Sequence, residues 1–419
     1  MSKLILSTIL FFTIFNGYSS KILIEMNENQ TNHLKSYGIA FWILENNRTV
    51  HWLLNYEGGS FLIDYHQDIE NECKIRGVSY KVIANVQAEA ILAEIANPEI
   101  NQESVKLEKA PKIAVYTPEG KQPWDDAVTL VLTYAEIPFE KIYDSTIVTG
   151  GLKEYDWLHL HHEDFTGQYG KFYRSYKDFA WYKKQVSDAE AMAAKLGFGK
   201  VSDLKLSVAL NIKEYVTNGG FLFTMCSGTD SYDIALATEK VDICESMFDG
   251  DPADPAANSK LDFNSTLAFK DFLLVMNPNQ YEFSSIDGTE MHQKISQTQD
   301  YFTLFEFSAK WDIVPTMLNQ NHESVIKGFM GQTTSFNKKY IKSDVIILGE
   351  TKSISTCKYM HGTQGRGTWT FYGGHDPEDY RHYVNDPPTD LNLHPNSPGY
   401  RLILNNVLFP AAKKKHQKT

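Results

Sequence analysis

Three short segments carry residue types able to do chemistry. The first is Met225-Cys226-Ser227-Gly228, which follows an apolar strand-like run over 221–225 and precedes a helix-like run over 231–237. A thiol lifted above a sheet at such a strand-to-helix turn lies at a helix N-terminus, where the dipole favours thiolate. The amides after it, at Ser227 and Gly228, are placed to hold an oxyanion or bind substrate. The second is Gly373-Gly374-His375-Asp376-Pro377-Glu378. Here an imidazole able to relay a proton stands beside Asp376 and Glu378, either of which could orient it, and Gly374 lets the backbone approach a ligand closely. The third is His159-Leu160-His161-His162-Glu163-Asp164. His161, His162 and Glu163 read as substrate-binding residues. With His375, the His161-His162-Glu163-Asp164 cluster has the donors for Zn²⁺ or another divalent ion, but successive side chains on a strand face opposite ways, so not all four of the cluster can converge, and no metal or other cofactor is assigned.

The other candidates have plainer readings. Cys73, Cys244 and Cys357, like His361 and His394, are most simply structural. Four cysteines without a Cys-x-x-Cys pair make neither a disulfide framework nor a zinc site. The acidic stretch Asp249-Gly250-Asp251-Pro252-Ala253-Asp254-Pro255 lacks the spaced carboxylates and terminal Glu of an EF-hand and reads as a solvated loop.

These groups need a scaffold. From residue 112 the chain alternates strand (113–116), helix (124–137), strand (139–143), strand (155–160), helix (204–216) and strand (221–225), as a mostly parallel sheet covered by helices requires. Strands at 345–348, 357–360 and 368–372 and a helix over 400–408 close it. In such sheets ligands collect at the carboxyl ends of the strands, where all three segments fall. Ser227 to Ser231 would cap the helix, through Asp230 or Ser231. Phe172, Tyr176, Phe179 and Val186 recur at helical spacing and read as core. Before residue 112 lie strand-like runs at 22–25, 39–44, 50–55, 61–64 and 80–83, with helices at 67–74 and 86–95 and a polar linker over 98–112. Gly58-Gly59-Ser60 marks a hairpin. The fold class is therefore α/β: a smaller N-terminal α/β domain (20–110), then a three-layer domain (111–419) with insertions near 161–203 and 248–308.

Composition bounds the function. With 42% hydrophobic residues the chain can build real cores, which excludes intrinsic disorder. Its net charge of −12 opposes nucleic-acid binding. The only dense basic run, Lys413-Lys414-Lys415, reads as a solvated end. Lys3, the apolar run 4–15 and Gly17-Tyr18-Ser19 form the three regions of a secretory signal peptide, so residues 1–19 are expected to be removed and the protein exported to the periplasm or cell surface. The run is too short to span a membrane, and no later stretch is long enough. The partner is then a small-molecule or cell-envelope substrate.

The Cys226 turn and the His375 loop together resemble the class I glutamine amidotransferase-like superfamily from about residue 112 onward. That resemblance implies a flavodoxin-like three-layer fold, a Cys on a nucleophile elbow and a late His with an acid. The family's Gly-x-Cys-x-Gly stands here as Thr224-Met225-Cys226-Ser227-Gly228, and the position two after the His is Pro377, with Glu378 one further. Gly374-His375 followed by residues 400–408 is similar to the trehalose-utilisation (ThuA-like) branch. Residues 158–167, 218–237 and 368–379 resemble exported bacterial proteins labelled asparagine synthetase B. The residues oppose that label: position 2 is Ser, not the catalytic Cys, and Ser227-Gly228-Thr229-Asp230-Ser231 is one residue short of the ATP loop. The resemblance implies a Cys-dependent hydrolase or amidase with Cys226 as nucleophile and His375 as base. A non-catalytic carbohydrate- or envelope-binding module on the same fold, or a metal-dependent ThuA-like sugar-processing enzyme, are the alternatives.

Overall fold

The structure is a computed structural model that describes residues 20–120 and 122–412. The signal-peptide run and the basic tail lie outside the described residues. At the N-terminus five strands, β1 (Ser20–Ile24), β2 (Val50–Leu54), β3 (Ser60–Asp64), β4 (Lys81–Ala84) and β5 (Glu103–Leu107), form an antiparallel sheet in the order β4-β1-β3-β2-β5. The β2–β3 hairpin turns at Gly58 and Gly59, both at positive φ, where a side chain on Gly58 would strike the Met26 carbonyl. Helices α1 (His33–Glu45), α2 (Gln67–Arg76) and α3 (Asn85–Ala96) complete this unit.

Two expectations are corrected here. Residues 39–44 are helical, not a strand. Asn32 caps α1 by accepting from the Lys35 amide at 2.9 Å, and the apolar run is continuous because almost every face of the helix is buried, which erases the helical period. Within the expected linker, Glu103–Leu107 adds an edge strand to β2, with Val105 and Leu107 turned inward. α1 packs against the C-terminal helix Pro398–Leu408, and the two halves share one hydrophobic core. Fully buried Arg401 crosses that junction, donating to the Met26 and Gly58 carbonyls and to Tyr37 Oη.

The larger sheet has ten strands. Five run parallel in the order β15-β9-β8-β6-β7: β6 (Ile113–Tyr116), β7 (Glu140–Ile142), β8 (Trp157–Leu160), β9 (Phe221–Met225) and β15 (Gly367–Tyr372). The period of two decides which layer each residue serves. Ile113, Val115, Phe221, Phe223 and Met225 join the core under α4 (Ala127–Tyr134) and the C-terminal helix, while Ala114, Tyr116 and Leu222 join the opposite one. That second face is covered by α5 (Asp144–Val148), α8 (Val201–Thr217) and α9 (Ser227–Ala237); α7 (Ala180–Lys195) packs on α8 and adds Tyr182, Ala189 and Ala193 to the same core, and Tyr173 and Tyr176 of α6 (Tyr173–Tyr176) pack against it. Beyond β15 the sheet continues antiparallel through β14 (Thr356–Gln364), β13 (Ile346–Thr351), β10 (Tyr301–Leu304) and β11 (Val325–Lys327), with β12 (Phe336–Asn337) beside β14. This is the α/β architecture expected from the sequence. Among the described residues no helix is long and apolar enough to cross a membrane.

Candidate active site at the carboxyl ends of the parallel strands

The carboxyl ends of β6, β8, β9 and β15 meet at one rim of the sheet, and the loops leaving them carry the reactive groups. β9 ends at Met225, and Cys226 turns the chain directly into α9 with φ 48° and ψ −140°. That positive φ is costly for a residue with a side chain and aims the thiol away from the strand. α9 begins at Ser227, earlier than expected, so Asp230 and Ser231 do not cap it. Asp230 accepts from Thr333 Oγ1 at 2.7 Å, and Ser231 Oγ donates to the Glu163 carbonyl at 3.0 Å. The helix start is held against β8 because Gly228 N–H donates to the His161 carbonyl at 2.7 Å. A Cβ on Gly228 would lie 2.6 Å from that oxygen, so a larger residue would push the helix away. Thr229 N–H returns to the Cys226 carbonyl at 3.1 Å, which leaves Ser227 N–H as the first amide of the turn.

His375 reaches the same place from β15. Gly374 has φ 91°, and a side chain there would collide with the Phe329 ring and Lys358 Nζ. Segment 329–334 closes over the site: His375 N–H donates to the Met330 carbonyl at 3.0 Å and Gly374 N–H to the Thr333 carbonyl at 2.8 Å. Gly331 sits in the seam, since a Cβ on it would lie 2.8 Å from His375 N and 3.0 Å from Cys226 Sγ. Lys358, on β14 and fully buried, holds this segment by donating to the Phe329 and Thr334 carbonyls, with its ammonium 3.8 Å from the Phe329 ring centroid. Burial lowers its pKa to about 7, with nearby Asp300, Cys226 and Asp287 opposing.

Around His375 runs a chain of imidazoles and carboxylates. His161 Nε2 is 3.1 Å from His375 Nδ1, and His161 Nδ1 faces Asp126 Oδ1 at 3.5 Å. Asp126 also faces His159 Nε2 at 3.5 Å, while its Oδ1 caps α4 by accepting from Val128 and Thr129 amides at 2.8 and 2.9 Å. On the other side His375 Nε2 faces Asp125 Oδ1 at 3.5 Å, and Asp125 pairs with His382 Nε2 at 3.0 Å. His162 stacks its edge on Trp124, and neither of its ring nitrogens has a hydrogen-bond partner.

The electrostatics follow from burial and pairing. Burial works against a charged His375, and His161 adds to that, yet Asp125 and the Cys226 thiol outweigh them and raise its proton affinity. His382 is likewise opposed by burial but held up to about 9 by Asp125 and Asp379. Asp125 and Asp126 are costly to bury, but their histidines keep both carboxyls well below the usual range. His162 is pushed well down by burial and by the neighbouring imidazoles. Burial lifts Glu163 to about 8, and its Oε2 accepts from the His161 amide at 2.9 Å.

The structure thus brings Cys226, His375, His161, His162, Ser227, Gly228 and Gly374 together. Glu163 serves the backbone of the same loop. Asp376 Oδ1 accepts from the Glu378 amide at 2.8 Å, and Glu378 pairs with His394 Nδ1 at 3.1 Å. The ion-pair partner of His375 is Asp125. Asp125, Asp126, His382 and Lys358 escape sequence reasoning; the first two have one signal, their place after β6 at the functional rim. A separate cavity of about 1050 Å³ opens at the amino ends of the strands, beside Asp156, Phe221 and Thr368, and holds none of these groups.

No family model matches the chain, and no curated protein matches it. Among solved structures it is similar to two cytoplasmic proteins of Salmonella typhimurium, STM3548 and STM1381, each at 11% identity and TM-score 0.35, covering 72% of this chain and 100% of theirs. It is also similar to Gan42B, a GH42 β-galactosidase from G. stearothermophilus, at 12% identity and TM-score 0.29, covering 64% of this chain and 28% of that one.

Proposed function

We propose that the protein is an exported Cys-dependent hydrolase of amide or other acyl bonds. The observation that carries this reading is the backbone of Cys226, held at φ 48° and ψ −140° at the end of a central strand with His375 beside its thiol. Strain of this kind persists where the surroundings enforce it, and here it presents one sulfur to one imidazole. In the reaction Cys226 Sγ attacks the acyl carbon as its proton passes to His375. The Ser227 amide receives the developing oxyanion, and Asp125 stabilises the imidazolium. Collapse of the tetrahedral intermediate breaks the bond to the leaving group, which takes the proton back from His375. Water then attacks the thioester, delivering its proton to His375, and the acid leaves as the thiol reforms. His161, His162 and Gly374 line the approach to these atoms.

The test is capture of the acyl-enzyme. The full chain is mixed with a panel of activated esters and small amides, quenched in acid and analysed by intact-mass and peptide mass spectrometry. The expected result is a single acyl adduct on Cys226 that is lost in Cys226→Ser. No adduct with any member, or adducts spread equally over other residues, would overturn the reading.

A further inference from the structure

The histidines beside Cys226 do more than a proton relay requires. His161 Nε2 and His375 Nδ1 point at each other across 3.1 Å, and the ring of His162 lies 5.2 and 6.0 Å, centroid to centroid, from theirs. One donor nitrogen from each of the three falls within 4.8 Å of the others. Two nitrogens bonded to one tetrahedral ion at about 2.0–2.1 Å lie roughly 3.3 Å apart, close to the 3.1 Å between His161 Nε2 and His375 Nδ1.

The outward nitrogens strengthen the case. A metal-bound histidine donates its other N–H to a carboxylate or carbonyl, which fixes the ring and its tautomer. His161 Nδ1 faces Asp126, and His375 Nε2 faces Asp125, each at 3.5 Å. Asp126 is itself fixed by the two α4 amides it caps. His162 adds an independent observation: it is largely buried, neither ring nitrogen has a hydrogen-bond partner, its Nε2 stands 3.9 Å from Glu163 Oε1, and Trp124 holds its ring edge-on at 5.1 Å. A hydrogen bond between His161 and His375 accounts for one proton and leaves His162 without a hydrogen bond of its own.

We propose that His161, His162 and His375 bind one divalent transition-metal ion of the Zn²⁺ type, with Asp126 and Asp125 orienting the first and third of these ligands. Three imidazoles favour Zn²⁺, Co²⁺ or Ni²⁺ over the oxygen-seeking Ca²⁺ and Mg²⁺, and three protein ligands leave a fourth position for water or substrate. The ion takes the place of the proton that His161 and His375 share, and that proton is released to solvent. The site stands whether or not Cys226 attacks an acyl carbon. Where both hold, they use His375 in exclusive ways, so the bound ion blocks acylation.

The test uses the full chain, stripped with a chelator and titrated with Zn²⁺ by calorimetry and with Co²⁺ by visible absorption. The wild type is expected to take up one ion per chain with the absorption of nitrogen-ligated tetrahedral Co²⁺. His162→Ala removes a ring with no hydrogen bond to lose, so it should stay folded by circular dichroism; it is expected to weaken binding at least 100-fold. His162→Gln serves as a second variant with the side-chain volume partly retained. Asp126→Asn is expected to weaken binding about 10- to 100-fold. Cys226→Ser should bind as wild type does. The proposal is overturned if the wild type takes up no stoichiometric ion, if both folded His162 variants bind unchanged, or if binding is lost with Cys226 instead.

Discussion

The carboxylate that faces His375 Nε2 belongs to Asp125, at 3.5 Å, and comes from the loop after β6, three strands from β15 in the parallel sheet. The acid and the imidazole are 250 positions apart in sequence, and only the shared rim of the sheet joins them.

Asp125→Asn should therefore slow alkylation of Cys226 by iodoacetamide roughly tenfold, the effect expected when one charge beside a proton-transfer equilibrium is removed. Glu378→Ala should leave the rate within about twofold, because Glu378 pairs with His394. In the same experiment Cys226 should label before Cys73, which burial pushes up to about 12, and before Cys244 and Cys357, which burial also raises. Peptide mapping over a time course reads all four thiols. Equal labelling of Cys226 and Cys73 would contradict the assignment.

Asp230 gives a pH-dependent prediction. Burial raises its folded pKa from the usual 3.8 to about 7, although Thr333 and the Ser231 amide favour the charged form. The folded state thus keeps a proton that the unfolded chain loses above about pH 4. Stability from this group is complete below the unfolded pKa and is lost as pH rises through 7, falling by about 1.4 kcal/mol per pH unit between the unfolded and folded values. Asp230→Asn keeps the acceptor for Thr333 and cannot ionise. Its melting temperature relative to wild type should rise between about pH 5 and about pH 8. A constant difference across that range would show that Asp230 does not titrate this way.

Arg401 predicts the relation between the two halves of the chain. It is fully buried and donates to the Met26 carbonyl at 3.0 Å and Tyr37 Oη at 3.1 Å, besides the Gly58 carbonyl. Arg401→Leu removes these donors, leaving the Gly58 carbonyl without its partner while Met26 keeps His33 and Tyr37 keeps Asn405, and should cost on the order of 3 kcal/mol. Because α1 and the C-terminal helix share one core, urea unfolding followed by both fluorescence and circular dichroism should stay a single transition at a lower midpoint. Two separated transitions in the wild type would show independent domains.

The parallel strands are legible in the sequence because β6, β8 and β9 are short apolar runs bounded by turns, and Cys226 and His375 stand out because Gly and a strand end mark them. α1 imitates a strand because burial on nearly all its faces replaces the helical period with a solid apolar run at 39–44. β5 imitates a linker because an edge strand of alternating polarity looks like loop in a polar stretch. Asp125 and Asp126 are hidden for a different reason. An acidic pair before a helix is an ordinary N-cap, and Asp126 is indeed one, so its second duty toward His159 and His161 leaves no local signature. Lys358 lies within a strand with no local sign that its ammonium would bridge two carbonyls of a distant segment.

That segment supplies the sharpest test of how the site is assembled. Gly331 has neither a turn nor a positive φ to explain it; what it has is proximity, with a Cβ there 2.8 Å from His375 N and 3.0 Å from Cys226 Sγ. The first of these atoms is backbone and cannot swing away, and it is fixed by its bond to the Met330 carbonyl. Gly331→Ala must therefore part segment 329–334 from His375 or shift the thiol. The first response loosens the hydrogen bond that fixes the His375 backbone, and the second moves the thiol away from the imidazole. The expected outcome is a fold intact by circular dichroism, a modest fall in melting temperature and at least a tenfold loss of Cys226 alkylation rate, by the same charge-coupling scale as for Asp125. Gly199→Ala is the control, since a Cβ there meets nothing within 4 Å. If Gly331→Ala labels as fast as Gly199→Ala, Cys226 does not depend on its contact with His375, and the proposed acyl-transfer mechanism loses its base.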